Sequence, residues 1–377
     1  MMGVMKLLVW LSGGVDSAVA AHLLMEQGHE VVAGFMLNYL DESNPNCSTK
    51  ADLESFHEVR QHLNIPYEIF DYRAEYEQLI LNYIYEWYQR GITPSPDVYC
   101  NSLVKFDLFA QEARQMRFDG IATGHYARII CEKSQVIGQN WSEKTSKLWP
   151  IAYHLYRGVD HHKDQSYFLS QLSQEQLSFA HLPLWEYTKP QIRQIAHDIS
   201  LPNADRPDSQ WLCFVGNISM SDFLHDKFGD QPWAIILLDG TIVGQHTGAY
   251  QYTVGQRRNL RLPFQAYVVA TDPITNTVIV TDDPDDAWLY TDSIHVHHWY
   301  WIAESRADEY ECQCKIRYRQ DLQECTIYID RRDDLLGRKN TVSSISFNQP
   351  VKWVAAGQIV VCYDGEEVIG SGVIGLK

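Results

Sequence analysis

The stretch LVWLSGGVDSAVA, residues 8–20, constrains the fold more tightly than any other part of the 377-residue chain. Residues 6–11 are apolar enough for a buried parallel strand. Residues 18–27 read as a helix with apolar Ala18, Ala21, Leu24 and Met25, stopped by Gly28. The turn between them presents free N–H groups at a helix N-terminus, where the dipole favours an anion. Gly13 and Gly14 let the backbone approach a phosphate, and Ser12 and Ser17 add hydroxyl donors. A bare phosphate would repel Asp16, so this carboxylate requires a bound Mg2+ or a donor network. The G-x-x-x-x-G-K-[ST] pattern is absent, and no lysine stands where a γ-phosphate would be held.

Strand signals over 31–37, 67–72 and 119–123 alternate with helical ones over 49–63, 74–90 and 101–116. This order implies a doubly wound parallel sheet, which binds ligands at the carboxyl ends of its strands. Residues 12–17, the loop after Leu37 and residues 123–125 all lie at such ends. Further helices are expected over 165–172, over 174–179 and in YTKPQIRQIAHDISLP, where Pro190 suits a first turn. From about Cys213 short β-type runs and turns dominate. The expected organisation is an α/β catalytic domain over 1–212, a small β-rich domain over 213–286 and a β-barrel-like domain over 287–377.

With 45% hydrophobic and 21% charged residues, the composition is that of an ordinary soluble protein with a large core. No apolar stretch approaches a membrane span, and MMGVMKLLVW lacks a signal cleavage region, so the expectation is a cytoplasmic protein without a membrane partner. Eight scattered cysteines argue against a disulfide scaffold. Cys312 and Cys314 would share one strand face; no second pair at zinc-ligand spacing accompanies them, and they read as core or surface thiols. The net charge of −17 opposes a nucleic-acid partner, yet basic clusters exist. Arg257, Arg258 and Arg261 crowd one segment, and Lys315, Arg317 and Arg319 alternate as on one strand face. An acidic protein can grip RNA through such patches.

SGGVDS resembles the pyrophosphate loop of ATP pyrophosphatases, which does not by itself choose a substrate. With TPSPDVYCNSLVKF, ATGHYAR, KDQSYFL, DSQWLCFVG, YTVGQRRNL, IRYRQ and AAGQIVVCYDGEEVIGSG, in that order over nearly the whole chain, the sequence resembles the tRNA-specific 2-thiouridylase family. The resemblance implies an adenine nucleotide alpha hydrolase-like first domain and ATP-dependent 2-thiolation of the wobble uridine of tRNA for Lys, Glu or Gln. The sulfur donor would be a cysteine desulfurase or a sulfur-carrier protein. Leu11, Ser12, Gly13, Gly14, Val15, Asp16, Ser17, Met36 and Gly124 would contact ATP, with Mg2+ expected. Cys213 would carry the persulfide and Cys100 would be the second catalytic thiol; an iron–sulfur cluster on these two stays open. Ser95, Pro96 and Asp97 would contact the target base, and His125, Lys163, Asp164, Gln165, Arg317, Tyr318 and Gln358 the rest of the tRNA.

The chemistry suits these residue types. The uracil C2 oxygen leaves poorly until AMP is transferred to it; a sulfur nucleophile then attacks C2. Such sulfur transfer needs low-pKa thiols. Cys100 follows Pro94, Pro96 and Asp97 and directly precedes a helix, whose dipole would lower its pKa. Asp97 would protonate or orient the leaving oxygen, or polarise a thiol; alone it is a turn aspartate after proline. Cys47 matches a family cysteine, without a catalytic role. Trp10, Leu37, Ser95, Trp211 and Leu212 depart from the family pattern, and GQRRNLRL lacks its glycines. Two rivals remain: a pyrophosphate-loop ligase for a small molecule, and a non-catalytic protein that binds tRNA or a sulfur carrier.

Overall fold

The computed structural model describes residues 3–41, 44, 47–133, 151–208, 218–303, 308–330 and 342–375. Its first layer is a parallel sheet. Strands β1 (Lys6–Trp10), β2 (Glu30–Leu37), β3 (Tyr67–Asp71) and β4 (Gly120–Ala122) are followed by β5 (Ala127–Lys133), β6 (Ile151–Arg157) and the short β7 (Ala180–His181). The sheet order is β3-β2-β1-β4-β7, all parallel, as the alternation of strand and helix signals requires. Helix α1 (Val15–Glu26) is buried along Ala18, Val19, Ala20, Ala21, Leu23 and Leu24, and these residues pack in one cluster with Leu7, Val9 and Leu11. Helix α2 (Thr49–His62) joins that cluster through Phe56 and Val59.

The opposite face of the sheet carries the aromatic-rich helices. The expected helix over 74–90 is present, but Glu77–Leu81 winds as a π-turn between Arg73–Tyr76 and Asn82–Gln89. The expected helix over 101–116 begins earlier, at Pro96, and is π-wound over Cys100–Leu108. Cys100 therefore sits inside a helical run rather than just before one, because Pro96 opens the first turn. Only Ser166–Leu169 of the expected 165–172 helix forms, as a 3₁₀ turn.

A second sheet comprises β8 (Trp233–Leu237), β9 (Ile242–His246), β10 (Tyr267–Asp272) and β11 (Thr277–Thr281), in the order β10-β11-β8-β9. A helix at Met220–Phe228 precedes it where short β-type runs were expected. Ser219 caps it through the Asp222 N–H, and Phe223 and Leu224 are buried.

The third sheet is a barrel. Strands β12 (Tyr290–Trp301), β13 (Glu309–Lys315), β14 (Gln323–Asp330), β15 (Val342–Lys352), β16 (Ile359–Asp364) and β17 (Glu367–Ile374) run β12-β15-β14-β13-β16-β17, and β12 also pairs with β17, closing the ring. The β5–β6 hairpin, from the first half of the chain, extends this sheet through β6 and β17. Cys312 and Cys314 share the inner face and are buried. The expected basic strand face fails: β13 ends at Lys315, so Arg317 and Arg319 lie in a turn, and Lys315 is itself buried. Among the described residues no helix is long and apolar enough to cross a membrane.

Candidate active site

The loop after β1 is shaped by one positive φ. Gly13 has φ +78°, and a Cβ there would lie 2.6 Å from the Asp52 carbonyl oxygen and 2.9 Å from Arg206 Nη1. Gly14 is the extended residue that opens α1. Ser17 Oγ donates to the Gly14 carbonyl at 3.0 Å and accepts from the Ser12 N–H at 3.2 Å, which folds the loop onto the helix end. Leu11 and Val15 are buried beneath it, and the Leu11 N–H donates to the Gly34 carbonyl. Gly124, after β4, packs so closely that a Cβ would meet the backbone of Asp16 and Ser17 at 2.7 Å. Met36, on β2, is buried nearby in the sheet.

Of the two partners that Asp16 required, the structure supplies a donor network. Its Oδ1 accepts from Tyr126 Oη at 2.7 Å and from Lys189 Nζ at 2.6 Å. Burial and the Asp16 charge push the Tyr126 phenol up, so it remains a donor. Lys189 Nζ also lies 2.7 Å from Asp208, which pairs in addition with Lys163 and with Arg193 Nη2 at 2.8 Å. Burial alone would raise the Asp208 carboxyl; hydrogen bonds from Lys163 and Lys189, with their charges, outweigh it and hold it at about 2. Arg206 and Asn203 both donate to the Gly13 carbonyl, at 3.0 and 2.9 Å, and Ser55 donates to it at 2.8 Å. Arg206 also meets Asp52 at 2.5 Å. Burial pushes the Asp52 carboxyl up, against the pull of Ser48 and Arg206.

Lys189, Tyr126, Asn203, Arg206, Asp52 and Asp208 escaped the sequence reading. Their link to the loop spans 110 positions for Tyr126 and 173 for Lys189, so no local spacing signals it. The lysine of YTKP was the one visible hint.

A second centre lies around the segment 94–98. An open cleft of about 280 Å³ is lined by Ser95, Pro96, Asp97, Tyr167, Phe168, Tyr318 and Gln358, with Pro94 and Val98. Five residues expected at the RNA, namely Ser95, Pro96, Asp97, Tyr318 and Gln358, thus converge from the two ends of the chain. Phe168 and Tyr318 have ring centroids 4.3 Å apart. Gln358 donates to the carbonyls of Thr93 and Pro94, at 3.2 and 3.0 Å. Ser95, a departure from the family pattern, accepts the Ile359 N–H on its Oγ at 3.2 Å, tying this loop to β16. Asp97 and Cys100 stand three residues apart in one helical run, hence on one face. Cys100 is 1% exposed.

The remaining expected residues have internal partners. His125 is buried beside Trp10 and Phe106, with Nδ1 2.7 Å from Thr123 Oγ1. Burial, and then Lys105, push its pKa far down, so the ring is neutral. Lys105 Nζ caps the Trp10 ring at 4.4 Å. Asp164 is buried and accepts from Arg157 Nε at 3.2 Å and from the Ser166 N–H at 3.1 Å. Gln165 accepts the Tyr126 N–H at 3.1 Å. Arg317 donates to the carbonyls of Val254 and Trp353, at 2.9 and 2.6 Å, joining the segment between β9 and β10 to the residue that follows β15. Cys47 Sγ lies 3.5 Å from Thr49 Oγ1 at the start of α2. Cys213, Trp211 and Leu212 lie outside the described residues. Arg257, Arg258 and Arg261 are exposed.

The family model described as tRNA methyl transferase HUP domain matches residues 5–217. The tRNA methyl transferase PRC-barrel domain matches 221–282, and the Aminomethyltransferase beta-barrel domain matches 291–374. The chain is 36% identical over 376 residues to tRNA-specific 2-thiouridylase MnmA 1 of Geobacillus kaustophilus (strain HTA426), covering 98% of this chain and 95% of the relative. It is 36% identical over 380 residues, with the same coverages, to tRNA-specific 2-thiouridylase MnmA of Limosilactobacillus reuteri (strain DSM 20016). The solved U34-tRNA thiolase NcsA from Methanococcus maripaludis aligns with a TM-score of 0.34 at 14% identity, over 60% of this chain and 69% of that one; so slight a likeness carries no argument.

Proposed function

The chain belongs to the tRNA-specific 2-thiouridylase family, and on that premise we propose that it is a tRNA-uridine 2-sulfurtransferase that spends ATP to exchange O2 of the wobble uridine for sulfur. The observation that carries this reading is the cleft between 94–98, Phe168 and Tyr318. It is base-sized, near the lower end of the ~300–1,000 Å³ of ligand pockets, and it stands on the helical run that bears Cys100. A base leaving its stack would lie against the Tyr318 and Phe168 rings, as base-modifying enzymes require.

The 12–17 loop and the N-terminus of α1 would hold the triphosphate of ATP. Lys189 and Tyr126 fix Asp16 through Oδ1. Its Oδ2 accepts no hydrogen bond among the described residues, and a carboxylate oxygen of this kind suits Mg2+. Bound there, Mg2+ would neutralise charge on the phosphates.

In the first step the uridine O2 attacks the α-phosphorus and pyrophosphate leaves. In the second, the terminal sulfur of a Cys213 persulfide attacks C2, and AMP departs with the old oxygen. The Cys100 thiolate then attacks the Cys213 sulfur. The C2–S unit leaves as the 2-thiouridine, and Cys100 and Cys213 remain as a disulfide for a reductant to open. Asp97, one helical turn from Cys100, would orient the base or accept a thiol proton. The substrates would be tRNA for Lys, Glu or Gln, and the donor a cysteine desulfurase or sulfur-carrier protein.

The test supplies unmodified tRNA for Lys, Glu or Gln, ATP, Mg2+ and a persulfide-generating cysteine desulfurase, then reads nucleosides by mass spectrometry. Wobble 2-thiouridine is expected from the wild type and is lost in Cys100→Ser and Cys213→Ser. AMP release that needs no RNA, with no thiolated product, would replace this reading with a small-molecule ligase.

A further inference from the structure

Inside the barrel three neighbouring strands bring four cysteines onto one face. Cys312 and Cys314 alternate along β13; Cys312 is paired across to Cys325 on β14, and Cys314 across to Cys362 on β16. All four are buried, Cys314 and Cys362 completely. The Sγ atoms of Cys312 and Cys325 are 3.7 Å apart, and those of Cys312, Cys325 and Cys362 all fall within 4.8 Å of one another. Cys314 lies outside that trio, across from Cys362 on the same face.

We propose that these four cysteines form a structural Zn2+ site that locks the C-terminal barrel. A tetrahedral zinc with Zn–S bonds of ~2.3 Å sets its sulfurs ~3.8 Å apart, close to the spacing of Cys312 and Cys325. The fourth position falls to Cys314. Around the thiols stand Val296, Ile327, Ile345, Val360 and Ile369, a dry shell of the kind that closed structural sites have. Zinc would displace the thiol protons to solvent. Linear spacing hides the site: Cys312 and Cys325 are 13 positions apart, and strand pairing alone brings Cys362 beside them. The nucleotide loop and the base cleft use none of these residues.

The experiment is a metal count on the full chain, purified in reductant without chelator and supplied with Zn2+. About one tightly held zinc per chain is expected. Cobalt(II) in its place should give the intense sulfur-to-metal charge-transfer band of a tetrahedral thiolate site. Cys325→Ser and Cys362→Ser should lose most of the metal, whereas Cys47→Ser, Cys100→Ser and Cys213→Ser should keep it. Less than about a tenth of an equivalent in the wild type would overturn the proposal without recourse to any variant. So would iron in place of zinc, metal that leaves with Cys100 or Cys213, or a thiol titration of the unfolded chain that finds Cys312 and Cys325 joined as a disulfide.

Discussion

In the loop proposed to hold ATP, six consecutive residues, 12–17, would supply the backbone that faces the anion, and distant charges only brace it. The cleft proposed to take the base instead has no founding segment: residues 94–98, 167–168, 318 and 358 meet there from remote parts of the chain. The first is a polar cage of amides, Lys189, Arg206 and three aspartates; the second is aromatic, tied by hydrogen bonds to backbone carbonyls. A loop that depends on backbone geometry should fail sharply at one atom. A cleft assembled by packing should fail in proportion to the surface removed.

The largest effect follows from that contrast. Gly13→Ala would place a methyl 2.6 Å from the Asp52 carbonyl oxygen and force an unfavourable positive φ. The loop amides then miss the phosphates, and adenylation, read as AMP formation, should fall ~10²–10³-fold, as when a preorganised donor is removed. tRNA affinity, measured by filter binding, should stay within about twofold. A parallel loss of tRNA binding would mean that the two regions are one site.

Next comes the cleft. Phe168→Ala removes half of the Phe168–Tyr318 pair. kcat/KM for tRNA should drop ~5- to 150-fold, the equivalent of ~1–3 kcal/mol for one stacked base. The KM for ATP should not change. An equal rise in both KM values would dissolve the distinction between cage and cleft.

The same contrast decides what could be read before folding. The loop was legible because glycine, serine and helix signals sit side by side in SGGVDS. The parallel sheet was legible from the alternation of apolar runs with helical ones. Tyr126, Lys189 and Arg206 were not, since a charge carries no local mark of the partner it will meet. The basic strand over 315–319 does not form because period-2 alternation cannot say where a strand ends; β13 stops at Lys315. The helix Met220–Phe228 is hidden because nine residues give only two turns of pattern in a stretch of β-type texture. Ser95, Pro96, Asp97, Tyr318 and Gln358 were named through family motifs alone; Tyr167 and Phe168 were missed, because nothing in the spacing announces that Tyr318 will reach Phe168.

A third, smaller effect concerns the approach of RNA rather than either centre. Arg257, Arg258 and Arg261 are exposed on a chain of net charge −17. Replacing all three with Gln should leave AMP formation at saturating tRNA unchanged. It should flatten the dependence of log affinity on log salt by ~0.7–0.9 for each phosphate that is no longer neutralised. An unchanged slope would remove these arginines from the interface.

The smallest effect isolates the cage by its charge. The Asp208 carboxyl sits at about 2 in the folded protein, against ~3.9 for an unfolded aspartate. A depressed folded value means that its stabilisation is complete above pH ~4 and is lost as the pH falls through about 2. Urea midpoints of the wild type should therefore decline between pH ~4 and ~2, and Asp208→Asn should decline less over that window. At pH 7 the variant should be slightly less stable, because Lys163, Lys189 and Arg193 lose their shared carboxylate. Asp208 is 26% exposed, so solvent screening keeps the change small. Lys189 then faces Asp16 alone, and AMP formation becomes the sensitive readout. If Asp208→Asn lowers AMP formation while Phe168→Ala leaves it intact, the ionic brace serves the loop and the cleft stands apart from it; identical pH slopes in wild type and variant would deny Asp208 that place.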